Sequence, residues 1–291
     1  MFHDYYLPQS VPEALEILAK HNGQAAIIAG GTDILLDIHE GKKAFSALVD
    51  ISRIPKLQSI QEENGFLRLG AAVTHSQANR STLVQAAAPV LAEACGKVGS
   101  LQIRNIATLV GNVVNAQPAA DAAVALAALG AKAVIEDGKV CREVLVEDLY
   151  ADLGKCKVDN TKEIITALLV PTLKKRQGSS FVRLDQRKAL ALPMLNVAAV
   201  VQLDEQGDRF EWARIIMAPV GPGPVRGLDG EALLRGAVVD HDTIVQAAKA
   251  AVMHANPRSS ALRGSREYRV GVLPVLVKRA LEAAVMQAKK V

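Results

Sequence analysis

Aromatic side chains are scarce in this chain of 291 residues, where tryptophan, tyrosine and phenylalanine together make up only 3%. Hydrophobic residues nevertheless reach 50%, so the core must be built largely from alanine, valine and leucine. Lysine and arginine number 34 against 30 aspartates and glutamates, with no long basic block. Nucleic-acid-binding proteins usually combine a basic surface with aromatic side chains that stack on bases. We therefore expect no nucleic-acid partner.

Long apolar runs are also missing. The longest strongly apolar run, residues 122–131, is much shorter than the roughly 20 residues that a membrane-spanning helix needs. Residues 1–6 lack the basic start and apolar middle of a signal peptide. We therefore expect no membrane span and a cytoplasmic location.

Cysteine is rare, and its three residues, Cys95, Cys141 and Cys156, form no Cys-x-x-Cys pair. A two-iron cluster normally takes four thiolate ligands, so any iron–sulfur centre is expected in another chain. The six histidines show no metal-ligand spacing. No Ser-His-Asp or Cys-His arrangement can be read either, although distant residues can form such sites in space. We predict no metal site and assign no catalytic residue.

The most specific patterns are two glycine segments, of which the first contains Gly30 and Gly31. The short apolar run at residues 25–29 predicts a buried strand. A helical spacing of apolar residues begins at Ile34, so the glycines lie between a strand and a helix N-terminus. Such a position suits a phosphate, although an ordinary tight turn is the alternative.

The second glycine segment covers residues 107–121. Gly111 lacks the Cβ atom that would keep a ligand away from the backbone, and Asn112 tolerates unusual backbone angles, which predicts a turn. Pro118 suits the first turn of the Ala-rich helix that follows. Asp121 could accept hydrogen bonds from the sugar hydroxyls of a ligand, or it could simply stabilise the start of that helix.

Two loops that each precede a helix could converge on the two phosphates of a dinucleotide from opposite sides. The sequence contains no Gly-x-Gly-x-x-Gly after a strand and no Gly-x-x-x-x-Gly-Lys-Ser/Thr. The pattern therefore excludes a Rossmann site and a kinase or P-loop ATPase.

The rest of the chain predicts mixed α and β structure with antiparallel hairpins. Apolar runs flank Asn64-Gly65, Asp137-Gly138 and Gly207, which are turn signals of hairpins. Residues 172–180 are polar and are predicted to form a flexible domain boundary. Helices are predicted in the last part of the chain.

Several separated motifs, in the same order, resemble the FAD-binding subunit of the molybdenum hydroxylases, the family of xanthine dehydrogenase and aerobic carbon monoxide dehydrogenase. The resemblance covers nearly the whole chain. The matching segments are residues 29–33, 102–112, 118–121, 181–199, 224–226 and 263–269.

This resemblance implies an α+β protein with a vanillyl-alcohol-oxidase (PCMH) type FAD-binding fold. Two α/β subdomains at residues 1–56 and 57–172 would bind FAD, and a C-terminal domain of antiparallel strands and helices would cover residues 173–291. The chain would take electrons from an iron–sulfur subunit in a complex with a large molybdenum-cofactor subunit, and pass them to NAD or another acceptor. The alternatives are a free-standing flavin oxidoreductase of the same fold and a scaffold subunit that has lost FAD.

The resemblance also implies which residues contact FAD. Residues 29–34 with Gly111 and Asn112 would hold the diphosphate. The full set of expected contacts is Ile28, Ala29, Gly30, Gly31, Thr32, Asp33, Ile34, Thr108, Gly111, Asn112, Asn115, Gln117, Asp121, Ile165 and Arg183.

Further contacts would extend along the rest of the cofactor. Asn115, Gln117 and Asp121 would lie near the ribityl, ribose or phosphate groups. Ile165 would pack on the flavin rings, with a plain core position as the alternative. Arg183 would occupy the position of a basic residue near the flavin, with a solvated surface charge as the alternative.

Two positions depart from the family pattern. Val110 stands where the family usually has glycine, and a β-branched residue resists positive φ angles, so we expect Val110 in an extended conformation. Residues 189–193 are wholly apolar, whereas the family often has an acidic residue shortly after the position of Arg187.

Overall fold

A computed structural model of the chain describes residues 2–187, 190–261 and 263–290. Helices combine with a three-stranded, a five-stranded and a four-stranded sheet and a two-stranded ribbon. The predicted α+β class is confirmed. None of the described helices is long and apolar enough to cross a membrane.

The first sheet is parallel, in the order β1-β3-β2. Its central strand is buried at every residue, as expected for a strand covered on both faces. The elements of this region are β1 (Asp4–Tyr6), α1 (Val11–Lys20), β2 (Ala25–Ile28), α2 (Ile34–His39) and β3 (Ala47–Asp50).

The second region folds into the antiparallel sheet β4-β5-β10-β6-β7, with helices packed beside it. Its strands are β4 (Ile60–Glu63), β5 (Phe66–Gly70), β6 (Lys132–Glu136), β7 (Cys141–Leu145) and β10 (Ile164–Pro171), with the ribbon β8 (Tyr150–Asp152) and β9 (Lys155–Cys156). Its helices are α3 (His75–Arg80), α4 (Thr82–Ala87), α5 (Pro89–Lys97), α6 (Leu101–Ile106), α7 (Leu109–Val114) and α8 (Asp121–Leu129), with 3₁₀ turns at Pro55–Gln58 and Val146–Leu149.

Helix α8 is the centre of this region, because every one of its residues is buried. A helix that is apolar on all sides must be surrounded by protein, and its alanines allow close packing. It lies between helix α5 and strands of the third region.

The third region is a sheet in the order β11-β12-β13-β14 with three helices. One face of the sheet packs on these helices. The other face joins the core of the second region through Phe181, Ala198, Val200 and Ile216. The elements are β11 (Gln177–Leu184), β12 (Leu195–Leu203), β13 (Phe210–Ala218), β14 (Val225–Arg226), α9 (Leu228–Leu234), α10 (His241–Ala251) and α11 (Arg266–Ala288).

The three predicted hairpins are confirmed as β4-β5, β6-β7 and β12-β13. The turn predicted at Gly111-Asn112 is wrong, because both residues lie inside helix α7. The predicted start of a helix at Pro118 is also wrong, since α8 begins at Asp121. The prediction of a flexible boundary at residues 172–180 is wrong for residues 177–180, because β11 begins at Gln177.

Candidate functional site

The two glycine segments meet in space. A Cβ atom added to Gly30 would stand 3.0 Å from Cα of Ala107, the first residue of the second segment, and 2.1 Å from the carbonyl oxygen of the preceding Ile106. The side chain of Asn115 donates a hydrogen bond of 2.6 Å to Asp33 Oδ1. Only a residue without a side chain allows the first contact. The convergence that the sequence predicts is therefore present.

The first segment presents backbone donors that the protein does not use. Within the described part of the chain, no N–H group of residues 29–34 donates to a protein acceptor. Gly31 adopts a φ of 71°, which glycine tolerates at no steric cost. A row of free N–H groups forms a concavity that binds anions, so the segment fits the diphosphate of FAD.

The side chains of this segment differ in exposure. Ile28 is buried, residues 29–32 and Ile34 are half-buried, and Asp33 is exposed. The Thr32 hydroxyl donates to Asp33 Oδ2 at 3.1 Å. Both carboxylate oxygens of Asp33 therefore accept hydrogen bonds from the two glycine segments, and the charge is held in a fixed position.

The second segment is a short capped helix. Thr108 is the N-cap of α7, and its Oγ1 accepts a hydrogen bond of 3.0 Å from the N–H of Gly111. Val110 is helical and 8% exposed, so the expected extended conformation is wrong. Because Val110 does not have a positive φ, its β-branched side chain causes no strain there. The positive φ of this segment, 50°, belongs to Ala116.

Asn112 and Gln117 take different positions at the end of the second segment. Asn112 Oδ1 accepts a hydrogen bond of 3.3 Å from the N–H of Ala123, which ties α7 to the first turn of α8. Gln117 is exposed and lies beside Gly154, in the turn of the β8-β9 ribbon. Asn112 is therefore already bonded through its oxygen, whereas Gln117 faces solvent.

Asp121 is bonded to the third region. Its carboxylate accepts a hydrogen bond of 2.7 Å from Asn196 Nδ2 and forms a salt bridge of 2.9 Å with Arg183 Nη1. Burial raises the pKa of Asp121 to about 6, although Arg183 and Asn196 act in the opposite direction. The carboxylate does not cap the helix, whose N-cap is Ala120. Asp121 thus joins the second and third regions.

Arg183 is not a solvated surface charge, because its side chain is only 7% exposed. It also pairs with Asp185 Oδ1 at 2.7 Å and donates to the carbonyl oxygens of Lys97 and Ala191. Ile165 in β10 is 3% exposed and belongs to the hydrophobic core. Of the apolar run at residues 189–193, Ala189 lies outside the described residues.

His75 supports the second segment and was not singled out in the sequence. Its backbone N–H donates to the carbonyl oxygen of Ala107 at 3.1 Å, and its side chain is 1% exposed with no hydrogen bond at Nδ1. Burial, together with a smaller contribution from the positive charge of Arg104, lowers the pKa of His75 to about 4. Neither His75 nor Asn196 carries a sequence signal, because their partners lie far along the chain.

Comparisons with known proteins identify the family of the chain. The family described as FAD binding domain in molybdopterin dehydrogenase matches residues 1–173. The CO dehydrogenase flavoprotein C-terminal domain matches residues 180–284. The xanthine dehydrogenase FAD-binding subunit of Escherichia coli O157:H7 is 28% identical over 99% of this chain and 97% of its own length.

Two further proteins extend the comparison. The 6-hydroxypseudooxynicotine dehydrogenase complex subunit alpha of Paenarthrobacter nicotinovorans is 30% identical over 98% of this chain and 95% of its own length. A solved carbon monoxide dehydrogenase from Hydrogenophaga pseudoflava superposes with a TM-score of 0.91 at 28% identity, over 99% of this chain and 98% of that one. Since the two family models together match residues 1–173 and 180–284, the chain belongs to the family of FAD-binding subunits of the molybdenum hydroxylases, and its cofactor is FAD.

Proposed function

We propose that this chain takes electrons from an iron–sulfur subunit and passes them to NAD or another acceptor, in a cytoplasmic complex that includes a large molybdenum-cofactor subunit. The observation that carries the proposal is the meeting of the two glycine segments at Gly30 and Ile106. Among the relatives is the carbon monoxide dehydrogenase medium chain of Hydrogenophaga pseudoflava, a name that implies further chains. Bound FAD would supply redox chemistry that accepts and releases two electrons.

The unused N–H groups of residues 29–34 would hold the diphosphate, facing Thr108, Gly111 and Asn112 across the contact at Gly30. These backbone groups need no proton transfer and no rearrangement to bind an anion. Asn115 would keep the carboxylate of Asp33 directed towards the second segment and away from the phosphates. Ile28 and Ile34 would close the two ends of the first segment.

The pair of Asp121 and Arg183 would lie at the flavin end of the site, with Gln117 reaching the sugar region. The pair is largely buried, so its geometry is fixed by the packing of α8 against β12 and β13. In this proposal Arg183 contributes a positive charge and Asp121 holds that charge in place. Breaking a buried pair by removing one partner is strongly destabilising, by roughly 3–5 kcal/mol.

The cysteines support an iron–sulfur centre in another chain. Cys95, Cys141 and Cys156 lie in α5, β7 and β9 respectively. Burial raises the pKa of the Cys95 and Cys156 thiols, which disfavours the thiolate that iron requires.

The test is anaerobic mixing of the FAD-loaded chain with a reduced iron–sulfur subunit or with NADH, followed by flavin absorbance. Bleaching by the iron–sulfur subunit, and reoxidation by NAD, are the expected results. If the isolated chain turned over an organic substrate without other subunits, the free-standing oxidoreductase would be correct. A colourless chain that does not take up added FAD would support the scaffold alternative, for which helical Val110 now gives no structural reason.

A further inference from the structure

A second cleft lies at the end of α8 opposite to Asp121. Its volume is about 720 Å³, within the range of roughly 300–1,000 Å³ typical of small-molecule sites. Residues 128–130 at the end of α8, residues 171–174, strand β13 and helix α9 line it. Since a helix rises about 1.5 Å per residue, α8 separates this cleft from the FAD site by roughly 12 Å.

The cleft opens where the side chains on one face of the third sheet change from apolar core residues to residues that line the cleft. Side chains alternate along a strand, so Trp212, Arg214 and Ile216 of β13 share one face. Ile216 packs in the common core, together with Val200, which pairs with Arg214. Trp212, which packs against the edge of that core, and Arg214 line the cleft. Trp212 is the chain's only tryptophan and is half-buried, so it gives the cleft an aromatic wall.

Positive charge is in excess around the cleft. Its basic lining residues are Lys174, Arg214, Arg226 and Arg235. Arg226 is bound to Glu231, with Nη2 at 2.5 Å from Oε2. Arg214 donates to the carbonyl oxygen of Ala127 at 3.2 Å.

Two carboxylates offset only part of this charge. Besides Glu231, Glu147 lies behind the cleft, with Oε1 at 3.6 Å from Arg226 Nη1 and Oε2 at 4.0 Å from Arg214 Nη1. Lys174 and Arg235 are exposed and form no ion pair within the described part of the chain. The cleft therefore offers two uncommitted cations beside an aromatic wall.

We propose that this cleft binds a nucleoside diphosphate or a closely similar aromatic anion, separately from FAD. The base would stack on Trp212, a contact that tolerates any planar ring. The phosphates would bind Lys174 and Arg235 through charge-assisted hydrogen bonds. Arg214 and Arg226 would add positive potential while remaining in their protein contacts.

The test is titration of the full chain, saturated with FAD, with ADP. Because Trp212 is the only tryptophan, its fluorescence reports on this cleft alone. Saturation with FAD prevents ADP from entering the FAD site. We expect a saturable quench at unchanged flavin absorbance, with weaker effects from adenosine or inorganic phosphate. The double substitution Lys174→Gln with Arg235→Gln is expected to weaken ADP binding at least tenfold.

The matched control is Lys20→Gln with Lys139→Gln, which removes the same charge far from the cleft. We expect this control to bind ADP as the unmodified chain does. The proposal is overturned if ADP produces no saturable quench, if the quench accompanies release of FAD, or if both double variants lose affinity equally.

Discussion

The two glycine segments reach the same place by different structural means. The segment around Gly30 and Gly31 is an irregular connection whose N–H groups are free and whose glycine contacts a backbone atom of the opposite segment. The segment around Gly111 is a helical turn, capped by Thr108 and held by Asn112. The first segment requires glycine for its contact with protein, whereas the second is built from ordinary helix chemistry. Substitution should therefore affect the two in different ways.

The largest effect is expected for Gly30→Ala. Its new Cβ atom would stand 2.1 Å from the Ile106 carbonyl oxygen, and a backbone atom cannot give way as a flexible side chain can. We expect a loss of about 3 kcal/mol in the free energy of unfolding and loss of bound FAD, measured by denaturant unfolding and flavin content. Gly271→Ala is the matched control, because a Cβ atom there meets nothing within 4 Å. Normal stability in Gly30→Ala would show that the two segments do not touch.

A smaller effect on the free energy of unfolding is expected when the pH falls, because of His75, which supports the second segment. Its pKa falls to about 4 on folding from an ordinary value of 6.5, so the unfolded chain takes up a proton first as pH falls. The stability that neutral His75 gives is complete above pH 6.5 and declines towards pH 4. Between pH 7 and pH 5 the loss should be about 2 kcal/mol.

The measurement is the free energy of unfolding at both pH values for the unmodified chain and for His75→Asn. Asp121, whose raised pKa of about 6 acts with the opposite sign in this range, contributes equally to both proteins. The difference between them therefore isolates His75. An identical pH dependence in the two proteins would contradict a buried, neutral histidine.

The hydrogen bond between Asn115 and Asp33, which joins the two glycine segments, should contribute less to the free energy of unfolding than His75 does. Replacing Asn115 by alanine removes its 2.6 Å hydrogen bond to Asp33, at an exposed position where we expect about 1 kcal/mol. A double-mutant cycle with Asp33→Ala separates the bond from other effects of each substitution. FAD affinity should fall severalfold in each single variant. A coupling energy of zero would show that the bond does not hold the segments together.

The smallest effect on stability is expected for Gly111→Ala. The added Cβ atom would meet only Thr108 Oγ1, at 3.0 Å, and alanine favours a helix over glycine by up to about 1 kcal/mol. The free energy of unfolding should change by less than that amount, while FAD affinity falls about tenfold because the Cβ atom would narrow the approach to the backbone. Unchanged FAD affinity would show that Gly111 does not face the cofactor.

Much of the site could be predicted from sequence because its parts are local. Gly30 and Gly31 follow an apolar strand and precede a helix, and both boundaries carry clear signals. The interpretation of Gly111-Asn112 as a turn failed because glycine and asparagine are typical turn residues, whereas Thr108 here caps a helix that contains both.

The exposure and partners of single side chains could not be predicted in the same way. Arg183 and Asp121 are 62 residues apart, and Asn196 is 75 residues from Asp121. Nothing in their local sequence distinguishes a buried ion pair from two solvated charges. The basic cleft at Trp212 likewise combines residues from separate parts of the chain.

The sequence by itself determined the family, the cofactor and the positions of the glycine segments, because those depend on short motifs in a fixed order. Tertiary structure alone decided that Gly30 contacts Ile106, that Val110 is helical without strain, and that Asp121 binds Arg183. These features arise from packing between distant segments, where a contact of a few ångströms depends on the arrangement of whole sheets and helices.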